Sequence, residues 1–347
     1  LALNGTEFNR QLLISKYGGQ SIATLLAGEI GGGTVYDALH KRIVANNFAG
    51  LRVGDYLDVP LVSASGVAGQ QSVRFIIAHI DPYLWCDDRG KGHHIAFVAS
   101  APIAVSSSYD GVANSSYIPW NKTNTNQGTA DIKNPYLCSQ LKGWETAFEA
   151  CLPEGLTKYI LTQRVLLEER YSASGALTDS NNWSWQDIGK IWSLSEMEVY
   201  GCPVWGTPGF SVGFDCQFDL FRDTAHRLNG TRSLWWLRSV RGGSSAHVCY
   251  VNNNGNANYN DATNDWIRPR VGLLILARQP RRCVGLRAHE EGRADVRACA
   301  RKDASRWEGS PLLAWPRASA LDAVSLLLPK RPGNAGAHRR RPCGMPS

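Results

Sequence analysis

The stretch Trp235–Pro269 reads WWLRSVRGGSSAHVCYVNNNGNANYNDATNDWIRP, and two kinds of sequence meet in it. At its ends, Trp235-Trp236-Leu237-Arg238-Ser239 and Trp266-Ile267-Arg268-Pro269 set large aromatics beside Arg. Such ends read as packed framework, because an indole buries much apolar area while its N–H still finds a partner. The middle is dominated by Asn, Ser, Gly, Tyr and His. That is the chemistry of adaptable contact surfaces, where Tyr supplies rigid area and small polar residues supply hydrogen bonds. Leu234–Leu237 and Ala246–Val251 have strand character, and Asn254-Gly255 between polar neighbours predicts a hairpin turn. Arg238 or Arg268 is expected to make buried polar bonds.

Working outward, Val271–Ala277 is a final apolar strand. On the N-terminal side, Ser195 followed by Glu198 fits a capping box for a short helix through Tyr200, stopped by Gly201 and Pro203. Phe218–Leu228 reads as a helix or an irregular segment, and Gly206–Gly213 as a Gly/Pro-rich loop. Leu141, Trp144, Ala147 and Phe148 give Ser139–Cys151 a helical stripe, and Ile160, Leu161, Val165 and Leu166 predict a second helix over Tyr159–Tyr171. Tyr109–Lys133 is a long polar loop. Leu51–Val62, Ser72–Ile80 and His93–Val98 carry the period of two that marks strands. Ser21–Gly28 is a candidate short helix. Thr34, with Asp37 three residues on, caps a helix whose apolar stripe is Val35, Ala38, Leu39, Ile43 and Val44. Antiparallel strands with a few short helices give an α+β fold. The organisation is an N-terminal segment 1–48, a domain 50–277 and a tail 278–347.

The chain of 347 residues has a net charge of +7, but the charge is unevenly placed. Residues 278–347 hold 15 Lys/Arg against 6 Asp/Glu, and the rest holds 22 against 24. A nucleic-acid footprint would be a basic face of the folded body, so no nucleic-acid partner is expected. The tail reads as poorly ordered, with a read-through origin as an alternative. No apolar run approaches the length of a membrane span, and the start does not read as a signal peptide. The nine Cys are scattered without a C-x-x-C pair, so metal-ligand spacing is absent. The His93-His94 pair behind Asp87 and Asp88 reads as structural. No metal and no cofactor are expected.

The order LSEMEVYG at 194–201, then Phe218–Arg227, then WWLRS at 235–239 and Arg268-Pro269 resembles a C-type-lectin-fold domain widespread in bacterial and phage proteins. His93-His94-Ile95, Tyr136 and Thr162-Gln163-Arg164 fit as well. Some domains of that fold are the variable proteins of diversity-generating retroelements, in which adenines of a C-terminal repeat are rewritten. The run Asn252–Asn264 resembles such a repeat, since Asn codons begin with two adenines. The basic tail departs from the pattern, because such repeats lie close to the protein's end. Arg241-Gly242-Gly243-Ser244 also resembles the formylglycine-generating enzymes of the same fold. There, however, Ser245 replaces a Trp, and Cys249 stands alone.

The resemblance implies a display protein and not an enzyme, recognising a protein or cell-surface ligand through residues 240–265. Its contact residues would be Arg241, Ser244, Ser245, His247, Tyr250, Asn252, Asn253, Asn256, Asn258, Tyr259, Asn260, Asp261, Thr263 and Asp265. Tyr250 and Tyr259 would be the hot spots. A fixed-sequence, tail-associated phage domain is the alternative, as is a plain solvated loop of ordinary turn residues. Phage virion or bacterial cell surface would be the setting, and an oligomer is left open.

Overall fold

The structure is a computed structural model, which describes residues 19–84, 91–209 and 216–276. The expectations for the first 18 residues, Cys86 to Asp88, Asp215 and the tail lie outside the described residues. The described part is α+β: short helices and antiparallel sheets around one core.

Three short helices lead in: α1 (Ile22–Leu25), α2 (Ala27–Ile30) and α3 (Val35–Val44). The capping box at α3 is present, with Thr34 accepting from the Asp37 amide and Asp37 accepting from Thr34. Ala38, Leu39 and Ile43 are buried, while Val44, expected in the stripe, is 55% exposed. It closes the last turn on the far side.

The main sheet is β1 (Tyr56–Pro60), β2 (Ser72–Ile80), β3 (His94–Ala99), then the late strand β11 (Val271–Leu276) and β4 (Ile160–Leu161), in that order. A further two-residue strand, β7 (Trp192–Ser193), also pairs β11. Every residue of β3 and β11 is buried; for β3 this replaces the period of two expected over His93–Val98, because a central strand between β2 and β11 is covered on both faces. Gly272 sits mid-strand for a steric reason: a Cβ there would meet the Trp192 ring at 2.7 Å. Ile22, Leu26, Leu39 and Ile43 join the same core.

The helix expected over Tyr159–Tyr171 is not formed. Ile160–Leu161 pairs β11, and β5 (Arg164–Glu168) pairs β6 (Trp183–Asp187) as a two-stranded ribbon. Val165 and Leu167 are buried and their neighbours half-exposed, so the operative period is two. The helix expected in Ser139–Cys151 is α4 (Gln140–Glu149), with Leu141, Trp144 and Phe148 inside. The one-turn helix α5 (Glu154–Thr157) follows. Ser195 and Glu198 form the predicted capping box on α6 (Glu196–Tyr200), and Gly201 ends it in the left-handed region. Phe218–Leu228 is partly helical: a 3-10 turn at Asp219–Arg222, then α7 (Thr224–Leu228). Tyr109–Lys133 forms no helix or strand.

His94 is completely buried, and its two ring nitrogens are both used. Nδ1 donates to the Gly92 carbonyl at 2.8 Å, and Nε2 accepts from the Tyr83 amide at 3.2 Å. His93 bonds Asp81 through Nδ1 at 2.7 Å. Both imidazoles are thus held by hydrogen bonds, and among the described residues, which leave out Asp87 and Asp88, no group of three or more His, Cys, Asp or Glu is placed to hold a metal. Burial pulls the His94 pKa down to about 4, against the Gly92 carbonyl bond and Asp81, which raise it, and with Lys91 and His79, which lower it further. An unfolded His titrates near about 6.5, so below that pH the unfolded chain binds the extra proton and the folded chain does not. The His94 contribution to stability is therefore fully present above about pH 6.5 and is expected to fall by about 3 kcal/mol as pH drops towards 4. His79, also lowered by burial, adds in the same direction. Urea titrations at several pH values check this: the slope should flatten in His94→Gln, and an unchanged slope would refute it.

Candidate functional site: a clamped three-stranded sheet

The opening stretch folds as a second sheet of three antiparallel strands in the order β10 (Ala257–Asp261), β9 (His247–Val251), β8 (Trp235–Val240). β8 is the framework strand. Trp235, Trp236 and Leu237 are fully buried, and Arg238 nearly so. Two indoles staple it to the long polar loop in both directions: Trp236 Nε1 donates to the Ile118 carbonyl at 2.8 Å, and Trp120 Nε1 donates to the Leu237 carbonyl at 3.1 Å.

Behind β8 lies a buried charge system. Arg238 forks onto Glu198 through Nη1 to Oε2 at 2.6 Å and Nη2 to Oε1 at 2.7 Å, and Nη1 also reaches the Ser193 carbonyl at 2.9 Å. Tyr83 donates to the same carboxylate, which also accepts the Ser195 amide at 2.8 Å. The buried polar role expected of Arg238 is filled here, and the fork geometry is the strong form of that bond. Arg268 instead lies 5.0 Å over the Tyr117 ring.

Two more buried side chains fix the backbone of the polar middle, and a third fixes the loop beside it. Arg170, wholly buried, is held by Glu168 at 2.9 Å and donates to the carbonyls of Ser244 at 2.8 Å and Arg241 at 3.0 Å. The Asn126 side-chain amide donates to the carbonyls of Ser244 at 2.9 Å and His247 at 2.7 Å. Glu196, 1% exposed, accepts through Oε2 from the amides of Val204, Trp205 and Gly206 at 2.7–3.1 Å. A buried carboxylate holding three N–H groups rigidifies the loop that carries Trp205.

Above this frame, the structure brings four of the expected contact residues together. The Arg241 guanidinium lies 3.6 Å over the Tyr259 ring. Arg241 Nη1 donates to His247 Nδ1 at 2.9 Å, so Nδ1 is unprotonated and the imidazole proton sits on Nε2, which is 3.2 Å from Asp261 Oδ1. His247 also stacks on Tyr259, with centroids 5.3 Å apart. Trp205 completes the cluster edge-on to Tyr259 at 4.8 Å and is 40% exposed. Its Nε1 donates to the Ala257 carbonyl at 3.2 Å. Sequence reading missed Trp205; an indole placed in a Gly/Pro-rich loop, where no core can absorb it, is the signal that points to it.

The other expected contacts divide. Tyr250 is 7% exposed and meets Trp236 edge-on at 6.1 Å, so it belongs to the core and not to a contact surface. Trp266, read as rigid framework, is the converse: it is 61% exposed beside Tyr117. Its neighbours Ile267 and Pro269 carry the packing instead. Ser244 Oγ accepts from the amides of Ala246 and His247, and the Ser245 carbonyl accepts from Asn126. Asn253, Asn256 and Thr263 are exposed, and Asp265 is half-buried. The exposed pair Asn253 and Asn256 sits at the turn end of the hairpin, a strand's length of about 14–17 Å from His247 and Asp261.

Asn252, Asn258 and Asn260 do local work. Asn252 Oδ1 accepts from the amides of Asn254 at 2.9 Å and Asn256 at 3.1 Å, and Gly255 has φ +76°, completing the expected turn. β10, not foreseen as a strand, is the edge of its sheet. The bonds Asn252 N to Asn256 O and Ala262 N to Ala246 O flank the β9–β10 ladder. By antiparallel alternation the amides of Asn258 and Asn260 then face β9, and those of Tyr259 and Asp261 face outward. Each outward amide is capped by the preceding side chain, Tyr259 N by Asn258 Oδ1 at 2.8 Å and Asp261 N by Asn260 Oδ1 at 2.9 Å. An edge treated this way is blunted against further strand pairing. Asn252→Ala is expected to cost about 1–2 kcal/mol for two lost backbone bonds, and Asn253→Ala less than about 0.5. Paired urea melts check the difference; equal costs would contradict it.

Beneath the sheet is a cavity of about 60 Å³ lined by Glu168, Glu196, Thr207, Arg238 and Ser239 among others. Ligand pockets run to about 300–1,000 Å³, so this one suits a few waters among buried polar groups. Burial pushes the Glu168 carboxyl above its ordinary range despite Arg170 beside it. Cys249 is fully buried, and burial, then Glu196, push its thiol well up. That setting disfavours the thiolate, the nucleophilic form.

The family "Domain of unknown function (DUF6273)" matches residues 122–275. That range takes in the clamps Asn126, Arg170, Glu196 and Glu198 with the whole three-stranded sheet, and leaves out β1 to β3. No curated protein and no solved structure matches the chain significantly.

Proposed function

We propose that this chain is a ligand-binding display protein on a C-type-lectin-like scaffold, recognising a protein or cell-surface ligand through residues 240–265 as the variable protein of a diversity-generating retroelement. One observation carries the reading: the clamps on this segment reach it mainly through its backbone. Arg170 and Asn126 hold the carbonyls of Arg241, Ser244 and His247, and no side chain of the segment is needed for those bonds. Exchange of the outward side chains would leave them intact, which is what a display surface requires. The cluster of exposed Trp205 with half-buried Tyr259 and Arg241 is also made of the residue types that dominate binding energy at interfaces. A lectin-like scaffold carries no activity of its own, so the function lies in the site.

A fixed-sequence, tail-associated phage domain is the second reading. It is favoured by the side chains of Ser244, Asn252, Asn258 and Asn260, which bond neighbouring backbone and would be lost by exchange. The DNA around the gene separates the two. A near-repeat of the 240–265 coding segment differing at adenines, beside a reverse-transcriptase gene, supports diversification; absence of both removes it and leaves the fixed-sequence domain.

A further inference from the structure

We infer that the partner docks on the Arg241 face with a protein carboxylate, an Asp or Glu side chain received by the Arg241 guanidinium between Trp205 and His247. This rests on the proposal that residues 240–265 contact a ligand, and adds what the contact recognises. The Arg241 charge lacks a carboxylate partner among the described residues, and one of its N–H groups is used on His247 Nδ1. Asp261, the acid of the cluster, bonds other groups: its Oδ1 faces His247 Nε2 at 3.2 Å and accepts from Asn124 Nδ2 at 3.1 Å. Asp179, close behind the turn, accepts the Gly243 amide at 3.1 Å.

The guanidinium is also held in place before any partner arrives. The Tyr259 ring lies beneath it at 3.6 Å, and Trp205 lies 5.8 Å away. Its backbone is pinned by the buried Arg170. A planar fork with remaining donors, fixed by stacking, matches a carboxylate in two-point contact. Pre-organisation removes much of the ordering cost that binding incurs. The exposed indole beside it supplies apolar area for the stem of the acidic side chain, and Trp, Tyr and Arg together make a protein-contact patch.

The full chain, labelled with 15N, tests this by NMR titration with N-acetyl-glutamate amide and its neutral isostere N-acetyl-glutamine amide. The Trp205 indole signal is assigned with Trp205→Phe. The expected result is a saturable shift of the Trp205 indole and Arg241 Nε–H signals, with the acid binding about threefold or more tighter than the amide. Added salt should weaken that preference. Arg241→Gln should abolish it, and Arg241→Lys, which keeps charge but not the fork, should retain part of it. Equal shifts from both compounds would overturn the carboxylate while leaving the face as a contact surface. An acid preference unchanged in Arg241→Gln, or no saturable shift from the acid, would also overturn the inference. Tighter binding of methyl glucuronide than of the glutamate probe would overturn the assignment to a protein partner.

Discussion

Replacing Glu198 by alanine is expected to destabilise the fold by about 3–5 kcal/mol, the cost of leaving a buried guanidinium uncompensated. Arg238 is 6% exposed and has its two terminal nitrogens on Glu198. The same carboxylate receives Tyr83 and caps α6 through the Ser195 amide, so one truncation orphans donors on three elements. The double variant Glu198→Leu/Arg238→Met removes both charges together and is expected to recover part of the loss, because well-packed apolar substitutes for a buried pair are often neutral. Urea unfolding of wild type, single and double variants reads both effects. A single variant within about 1 kcal/mol of wild type would show that the pair does not hold β8.

The second large effect lies at Trp236. Its ring is fully buried against Tyr250, and its Nε1 carries the bond to Ile118. Trp236→Ala is expected to cost about 3–5 kcal/mol through the cavity left behind. Trp236→Phe keeps most of the ring and isolates the staple to the 109–133 loop, so about 1–2 kcal/mol is expected, mainly from the orphaned carbonyl. Hydrogen exchange distinguishes the two losses. In Trp236→Phe the added exchange should be concentrated around Ile118–Asn126, and uniform exchange would mean the staple is not local.

These two side chains also show what was readable in the chain. Trp235 and Trp236 beside Arg238 announced framework, and the Ser195–Glu198 and Thr34–Asp37 spacings announced capped helices, because capping is a local bond between residues three apart. The hairpin turn was readable for the same reason. β10 was not: its Asn-rich text reads as loop, since Asn is depleted in strands. It is a strand because it pairs β9, and Asn258 and Asn260 cap its open edge, a role visible only with the sheet in place. Ile160, Leu161, Val165 and Leu166 fitted a helical stripe until partners over a hundred residues away at Leu274 and Ile275, and at 183–187, decided the period. Nor did anything in the sequence mark Arg170, since burial of a charge depends on carbonyls brought to it from Arg241 and Ser244. Tyr250 and Trp266 exchanged places for a related reason: an aromatic residue's type does not reveal which face of the backbone it leaves from.

Among the described residues no helix is long and apolar enough to cross a membrane. The account divides the three-stranded sheet into a backbone held from outside and a surface free to change. Deep sequencing of this gene from a propagated population tests the division most directly. The account predicts substitutions concentrated at Arg241, His247, Asn253, Asn256, Tyr259, Asp261 and Thr263, arising at adenines, while Asn126, Arg170, Glu196, Glu198 and Trp235 to Arg238 stay fixed. Substitutions spread evenly over these two sets, or none above the background rate, would contradict it.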